Sequence, residues 1–283
     1  MKLKANAKIN LSLEICKKRP DGYHLIDTVM QSVSLYDEVT LEKAEKITVK
    51  TDVDGIDGKD NLAYKAAELF FSDFKINGGA KIEIKKNIPM SAGLGGGSAD
   101  AAAVLVGLRQ LYDNSITDKM LEKTALKLGA DVPFFISGGC KRAEGIGEIL
   151  TPLKPLNKGY ILLCKGEEKT STGEMYRILD SKEYKKCDTE AVIKAVERND
   201  LNGISQNIYN AFLEVWKESF VKKAMLKEKP LVVSLSGSGP TWFALYQTQA
   251  DAQAAKNNLE IQNIECFVVT HGRRHQPAQL CAR

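Results

Sequence analysis

The order of apolar and polar positions along the first hundred residues is typical of short strands separated by turns. β-branched or apolar runs alternate with turn signals such as Pro20-Asp21-Gly22. The predicted strands lie at residues 9–15, 39–41, 47–49 and 81–84. Residues 61–71 instead carry apolar side chains at helical spacing, which predicts a helix with Asp60 as its N-cap.

A strand, a glycine loop and a long helix follow one another between residues 80 and 111. The helix is predicted to begin near Ser98, because Ala101, Val104 and Leu108 begin an apolar stripe there. A second helical pattern covers residues 119–128 and ends at Gly129. Pro133 then predicts that the next segment leaves the helical conformation.

Pro152 and Pro155 suggest a domain boundary, and the pattern beyond them predicts a small α/β sandwich. We therefore divide the chain into an N-terminal domain at residues 1–153 and a C-terminal domain at residues 154–283. The predicted strands of the second domain lie at residues 160–164, 231–235, 242–246 and 266–270. Its predicted helices lie at residues 190–197, 208–225 and 250–259. The tail from His271 to Arg283 has no apolar period, and we assign it no structure.

Composition and charge describe an ordinary globular protein. The 283 residues are 43% hydrophobic and 27% charged, and 40 Lys plus Arg against 36 Asp plus Glu give a net charge of +4. The basic residues form short clusters rather than a stripe, which argues against binding to a nucleic-acid backbone. No segment resembles a secretion signal or a membrane span. The six cysteines include no Cys-x-x-Cys pair, so we expect free thiols, no zinc site and a cytoplasmic location.

Four glycines in five positions mark the best candidate for a binding site. Glycine is entropically costly, so Gly93, Gly95, Gly96 and Gly97 indicate a place where backbone must approach a ligand closely. Backbone N–H groups at the start of a helix attract anions, which makes a phosphate the favoured ligand. A mobile glycine-rich connector is the alternative. The loop matches neither G-x-x-x-x-G-K-[ST] nor G-x-G-x-x-G, which excludes a Walker nucleotidase and a protein kinase.

The sequence around this loop resembles a known family. Residues 89–102, PMSAGLGGGSADAA, resemble the P-x-x-x-G-L-G-[SG]-[SG]-S-A loop of the superfamily of galactokinases, homoserine kinases, mevalonate kinases and phosphomevalonate kinases. Other segments are similar to motifs of one branch, the 4-diphosphocytidyl-2-C-methyl-D-erythritol kinases. These segments lie at residues 7–11, 19–24, 129–135, 143–148 and 235–241. The sequence differs from the pattern of this branch mainly in the tail after Arg273.

This resemblance implies an α+β fold of two domains, one like ribosomal protein S5 domain 2 and one ferredoxin-like, with the active site in the cleft between them. It also implies transfer of the ATP γ-phosphate to the 2-hydroxyl of a cytidine-diphosphate-linked methylerythritol, in the non-mevalonate route to isoprenoid precursors. The expected ligands are ATP, Mg²⁺ and this small-molecule substrate, with no nucleic acid and no membrane. We expect a monomer or a weak homodimer.

The resemblance also assigns roles to single residues. Phosphoryl transfer needs a carboxylate to orient the acceptor hydroxyl and a cation to neutralise charge, and Asp131 and Lys8 fit these roles. From the residues alone, Asp131 is more typical of a turn or an N-cap and Lys8 of an exposed strand lysine. Asn10 shares a strand face with Lys8 and is expected to hold substrate hydroxyls.

On the substrate side, the branch implies that Tyr23, His24 and Tyr176 bind the cytosine, to which Ile146 offers backbone groups. Without the resemblance, Tyr23 and His24 could equally be a turn with a half-buried ring. The second glycine loop, with Ser236 and Gly237, is expected to line the acceptor and triphosphate side.

On the ATP side, Asn61 and Lys86 resemble adenine and phosphate contacts, although Lys86 could also be a solvated lysine at a strand end. The phosphate loop itself comprises Pro89, Gly93, Leu94, Gly95, Gly96, Gly97 and Ser98. Ser98 is the candidate metal ligand.

Two alternative functions remain open at this point. The protein could be a relative that phosphorylates a smaller alcohol such as homoserine or mevalonate. The segment Pro20-Asp21-Gly22-Tyr23-His24 is the feature that distinguishes the cytidyl-substrate kinases from such relatives. It could also be a nucleotide-binding protein that has lost catalysis, which the presence of both Lys8 and Asp131 disfavours.

Overall fold

The computed structural model describes residues 1–168, 171–184, 186 and 188–272, and within these ranges it contains two β-sheets and the helices that cover them. The strands are β1 (Lys2–Lys18), β2 (His24–Ala44), β3 (Thr48–Thr51), β4 (Gly79–Lys85), β5 (Cys140–Gly145), β6 (Ile149–Leu153), β7 (Tyr160–Cys164), β8 (Val232–Leu235), β9 (Trp242–Tyr246) and β10 (Cys266–Val269). The helices are α1 (Leu62–Asp73), α2 (Gly96–Tyr112), α3 (Asp118–Leu126), α4 (Val132–Ser137), α5 (Thr172–Leu179), α6 (Thr189–Glu197), α7 (Leu201–Asn207), α8 (Phe220–Lys227) and α9 (Gln249–Glu260).

The first sheet is built around the long strand β2. Strand β1 pairs with it antiparallel from Lys2↔Thr40 to Lys18↔His24. Strands β4 and β5 pair with the two halves of β2, so that the remaining order is β3-β4-β2-β5-β6. This pairing brings the N-terminal strand, which carries Lys8 and Asn10, into the middle of the molecule.

The second sheet is antiparallel and has the order β10-β7-β9-β8. Its strands are short and almost wholly apolar, and β9 is buried along its whole length. Because both faces of such a strand are covered, its side chains do not alternate between apolar and polar residues.

Helix α2 is buried against the first sheet because its side chains are small. Residues 99–108 are all buried, and five of them are consecutive small or acidic positions from Ala99 to Ala103. A Cβ atom at Gly107 would lie 2.3 Å from Leu41 Cδ1, so only glycine allows this approach of helix to sheet. The helix therefore holds the glycine loop at its N-terminus in a fixed place.

The structure corrects two predictions about helix ends. Asn61, rather than Asp60, is the N-cap of α1, and its side chain accepts a hydrogen bond of 2.8 Å from the Ala63 N–H. Pro133 does not end the helical conformation, because it lies in the first turn of α4. Proline is compatible with that turn, whose N–H groups have no partner within the helix.

Other predictions about elements were incomplete. The predicted helix at residues 208–225 was wrong over most of its length, since the segment contains only a short 3₁₀ turn (Ala211–Glu214) before α8 begins, and only residues 220–225 are helical as predicted. Strands β5 and β6 and helices α5 and α7 were not predicted. In the tail, His271 forms a β-bridge with Val33, whereas residues 273–283, to which no structure was assigned, lie outside the described residues.

Cys16 is exposed, and Cys140, Cys164 and Cys266 are buried free thiols, as predicted; Cys187 and Cys281 lie outside the described residues. No helix in the described ranges has both the length and the apolar character needed to cross a bilayer.

Candidate active site

A cleft of about 1440 Å³ is lined by residues from both halves of the chain. It brings together nearly all of the site residues predicted from the sequence. Those that line it are Lys8, Asn10, Tyr23, His24, Asn61, Lys86, Pro89, Gly93, Gly95, Gly96, Gly97, Ser98, Asp131, Ile146, Tyr176 and Gly237. Leu94 and Ser236 are almost fully buried and lie behind the wall of the cleft.

Lys8 is a buried cation at the centre of the cleft. Its side chain is only 4% exposed, and its Nζ donates a hydrogen bond of 2.7 Å to Asn10 Oδ1. Burial lowers the pKa of Lys8 below its ordinary value, and the nearby charge of Asp131 opposes this shift. The structure thus confirms that Lys8 and Asn10 share one face of β1.

Asp131 approaches Lys8 from the start of α4. Its Oδ2 lies 3.9 Å from Lys8 Nζ, and its side chain is 39% exposed. Asp131 occupies the N-cap position of α4, but its side chain makes no capping hydrogen bond. The carboxylate is therefore not used by the helix and faces the cleft.

Two glycines of the loop adopt the left-handed backbone conformation and so determine the course of its backbone. Gly93 and Gly95 have φ values of 77° and 74°, which side chains rarely adopt. A Cβ at Gly93 would lie 2.4 Å from Ser236 O, and one at Gly95 would lie 2.5 Å from Phe135. Gly97 differs, because a Cβ there would meet no atom within 4 Å and would extend into open space.

The second glycine loop, at residues 236–241, packs directly on the first. Ser236 Oγ donates a hydrogen bond of 2.9 Å to Gly93 O, and Thr241 N–H donates to Ala92 O at 3.2 Å. Gly237 N–H donates to Asn10 Oδ1 at 2.9 Å. The second loop therefore supports the first loop and orients Asn10, and of its two predicted site residues only Gly237 reaches the cleft.

Beneath the glycine loop lies a buried ionic cluster that consists of Asp37, Lys86 and Asp100. Lys86 Nζ contacts Asp37 Oδ2 and lies 2.6 Å from Asp100 Oδ2. Burial raises the pKa of Asp100 to about 7, against the opposing effect of the Lys86 charge. Asp100 Oδ1 is buried and has no hydrogen-bond partner. Lys86 is thus held by two carboxylates rather than solvated at a strand end.

A second cluster in the cleft consists of Lys18, His24, Tyr176 and Asp180. The rings of His24 and Tyr176 are stacked, with centroids 4.7 Å apart. Asp180 lies 2.7 Å from His24 Nε2 and 2.5 Å from Lys18 Nζ, which lowers the pKa of the Asp180 carboxyl. Tyr23 stands beside this cluster, and its side chain is 61% exposed.

Two further predicted residues already use part of their hydrogen-bonding capacity within the protein. Ile146 N–H donates a hydrogen bond of 2.6 Å to Glu148 Oε2. Asn61 accepts from Ala63 N–H and donates to Ile56 O at 2.7 Å. Both residues nevertheless line the cleft.

Sequence reasoning did not identify Asp37, Asp100 and Asp180. Asp100 lies within the glycine motif itself, so its position could have drawn attention to it. Asp180 follows Tyr176 by four residues, which places both on one helix face, but α5 was not predicted. Asp37 lies just before a predicted strand, and no feature of the sequence around it indicates that it pairs with Lys86. No group of three or more His, Cys, Asp or Glu side chains in the described ranges could hold a metal ion.

Comparison with known proteins matches both halves of this arrangement. Residues 61–139 match the GHMP kinases N terminal domain, and residues 192–265 match the GHMP kinases C terminal domain. The glycine loop and the cleft thus belong to a GHMP kinase, an ATP-dependent kinase of small molecules.

Comparison with individual proteins narrows the family within this superfamily. The chain is 42% identical to the 4-diphosphocytidyl-2-C-methyl-D-erythritol kinase of Alkaliphilus metalliredigens, with 92% of this chain and 93% of the relative covered. It is 39% identical to the enzyme of that name from Clostridioides difficile, with 97% and 96% covered. A crystal structure of 4-(cytidine 5'-diphospho)-2C-methyl-D-erythritol kinase superposes with a TM-score of 0.82 at 32% identity, covering 96% of this chain and 99% of that one. The chain belongs to the 4-diphosphocytidyl-2-C-methyl-D-erythritol kinase family.

Proposed function

We propose that the protein transfers the γ-phosphoryl group of ATP to the 2-hydroxyl of 4-diphosphocytidyl-2-C-methyl-D-erythritol. The observation that carries this proposal is the position of Lys8 and Asp131 beside the glycine loop, in a cleft that also contains the His24–Tyr176 stack. The names of the relatives support the substrate assignment.

Asp131 orients the acceptor hydroxyl and takes its proton as the oxygen bonds to the γ-phosphorus and the bond to ADP breaks. Its exposed carboxylate, which has no capping partner, suits this role. Lys8 stabilises the negative charge on the transferred group, and its burial strengthens that effect because little water screens it. Asn10 holds Lys8 through Oδ1 and is itself fixed by Thr28 and Gly237.

The first turn of α2 binds the phosphates. Its N–H groups have no partners within the helix, and the helix dipole adds positive charge at that end. The open space at Gly97 leaves room for a phosphate group, with Gly96 and Ser98 on either side. We place Asn61 and Pro89 on the nucleoside side of this loop, with Lys86 beneath it.

Mg²⁺ fits the chemistry of the donors near this loop. Magnesium is usually held by one or two protein oxygens together with substrate phosphates, rather than by a complete protein cage. Ser98 Oγ is our candidate ligand, and the unpartnered Oδ1 of Asp100 indicates a second oxygen nearby whose capacity the protein does not use. When bound, the ion would neutralise phosphate charge.

The cytosine occupies the space beside Tyr23, His24, Tyr176 and the Ile146 carbonyl. Aromatic rings provide stacking surfaces for a base, and His24 supplies a hydrogen bond. We also assign residues 1–153 to an S5 domain 2-like domain and residues 154–283 to a ferredoxin-like domain, an assignment supported by the antiparallel order β10-β7-β9-β8.

The test is ATP consumption measured in parallel with three acceptors: the cytidyl conjugate, homoserine and mevalonate. We expect turnover with the cytidyl conjugate alone. Turnover with homoserine or mevalonate would assign the protein to another branch of the superfamily, and ATP binding without turnover of any acceptor would indicate loss of catalysis.

A further inference from the structure

The cluster formed by Lys18, His24, Tyr176 and Asp180 contains a carboxylate that no step of the proposed reaction uses. Asp180 is the C-cap of α5, and its N–H donates a hydrogen bond of 2.9 Å to Tyr176 O. A negative charge at the C-terminus of a helix is disfavoured by the helix dipole. Its position is therefore not explained by the stability of α5.

Asp180 makes two contacts that connect α5 with the ends of β1 and β2. Oδ2 accepts from Lys18 Nζ, and Oδ1 contacts His24 Nε2. Lys18 keeps the carboxylate charged, since it lowers the pKa of Asp180. A charged carboxylate accepts hydrogen bonds and cannot donate them, so Nε2 of His24 must carry the hydrogen.

The hydrogen on Nε2 determines what the other ring nitrogen can do. In a neutral imidazole only one nitrogen is protonated, so Nδ1 of His24 has a lone pair and accepts hydrogen bonds. Among the described residues Nδ1 has no hydrogen-bond partner, and the ring lines the cleft. A half-turn flip of the ring would keep the stack on Tyr176 but would move Nε2 away from Asp180, so the contact with Asp180 fixes which edge of the ring faces it.

We propose that Asp180 is a specificity-determining residue that fixes the tautomer of His24, so that Nδ1 accepts from the 4-amino group of cytosine and rejects the 4-oxo group of uracil. The inference rests on the proposed function, because it requires a pyrimidine conjugate in this part of the cleft. Asp180 is a positioning residue and acts through His24. Two acceptors that face each other cannot form a hydrogen bond, which is why the uridine conjugate is disfavoured.

The kinetic test compares kcat/KM for the cytidine and uridine conjugates in the wild type and in Asp180→Asn. The amide can donate to Nε2 and so allow the opposite tautomer, and we expect the preference for cytidine to fall roughly tenfold. Asp180→Glu, which keeps the charge, should retain more of the preference. Glu174→Gln is the matched control, because Glu174 lies on the same helix and pairs with Arg177 instead of His24.

A spectroscopic test is independent of turnover. The chain has three histidines, so the ¹⁵N resonances of His24 can be assigned by comparison with His24→Ala. We expect neutral His24 to be protonated on Nε2 in the wild type and to lose that preference in Asp180→Asn. A proton on Nδ1 in the wild type, or an unchanged cytidine preference in a folded Asp180→Asn with normal KM for ATP, would overturn the inference. Failure of the wild type to phosphorylate the cytidine conjugate would instead contradict the proposed function.

Discussion

Lys8 and Asp131 are close enough to interact electrostatically but too far apart for a direct hydrogen bond. Their charged atoms are 3.9 Å apart, whereas Lys8 Nζ donates its short hydrogen bond to Asn10. An acceptor hydroxyl placed between them could donate to the carboxylate and remain beside the ammonium. This arrangement supports the proposal that the pair acts on a substrate.

Lys8→Met should therefore make the protein more stable and less active. Removal of the buried charge should raise the free energy of unfolding at pH 7, because burial disfavours the charged form of Lys8. Turnover should fall by about a hundredfold or more, because the charge on the transferred group loses its stabilising cation. Chemical denaturation and steady-state kinetics measure the two effects. A variant that is destabilised, or one that keeps normal turnover, would contradict this role for Lys8.

Stability should also depend on pH in the alkaline range. Because the pKa of Lys8 is lowered in the folded state, the unfolded chain binds more protons between that lowered value and 10.5. The free energy of unfolding should gain a contribution that rises with pH across this window, and activity should fall as Lys8 loses its proton. Lys8→Met should lack this component of the rise in stability, which pH-dependent denaturation of both proteins can detect.

Asp131→Asn should abolish most turnover while both substrates still bind. The amide has the shape of the carboxylate but cannot take the proton of the acceptor hydroxyl, a loss of about 10²- to 10⁴-fold. Calorimetry of ligand binding, together with kcat, separates the two effects. Retention of more than about a tenth of wild-type turnover would exclude Asp131 as the principal base.

Two glycines provide a matched test of which ligand lies where. Gly173 lies in the first turn of α5, the helix that carries Tyr176, and it lines the cleft. A Cβ at Gly97 meets nothing within 4 Å, and one at Gly173 first meets Ser171 Oγ at 4.0 Å, so neither change to alanine should disturb the fold. Gly97→Ala should raise KM for ATP and leave KM for the cytidine conjugate unchanged, whereas Gly173→Ala should do the reverse. Gly96 is a poorer choice, because its Cβ would press on Ile88 Cγ2 at 3.1 Å. If either variant changed KM for ATP and KM for the cytidine conjugate equally, the placement of ATP at Gly97 and of the cytidine conjugate near Gly173 would be contradicted.

The two carboxylates that hold Lys86 should differ in their importance for stability. Asp37 also accepts hydrogen bonds from the Asn87 and Ile88 N–H groups at 2.6 and 2.8 Å, whereas Asp100 has an unpartnered oxygen. Asp37→Asn turns an amide donor toward the Lys86 ammonium and should cost about 3 kcal/mol. Asp100→Asn can direct its oxygen to Lys86 and should cost about 1 kcal/mol or less. Thermal denaturation measures which of the two variants loses more stability. A larger loss in Asp100→Asn than in Asp37→Asn would show that Asp37 is not the principal support of Lys86.

The amino-acid sequence was sufficient to predict the glycine loop, the helix that follows it and most of the strands. These features depend on local causes: glycine clusters, apolar periodicity and turn residues act within a few positions of the chain. The strands β7 (Tyr160–Cys164) and β9 (Trp242–Tyr246) were predicted with their exact bounds because each is a short apolar run. The motifs also pointed to Lys8, Asn10 and Asp131 as candidates for one site.

How these groups interact could be seen only in the folded chain. Burial of Lys8 requires β2 and both glycine loops to surround it, and no local pattern distinguishes it from an exposed strand lysine. Pro133 could be placed inside a helix only once the start of α4 was known. Asp37, Asp100 and Asp180 act on Lys86 and His24 across long stretches of chain, and their carboxylates have no periodicity that marks them. A charged residue takes its role from its neighbours in space and from how much water surrounds it, and both are set by the fold rather than by adjacent residues.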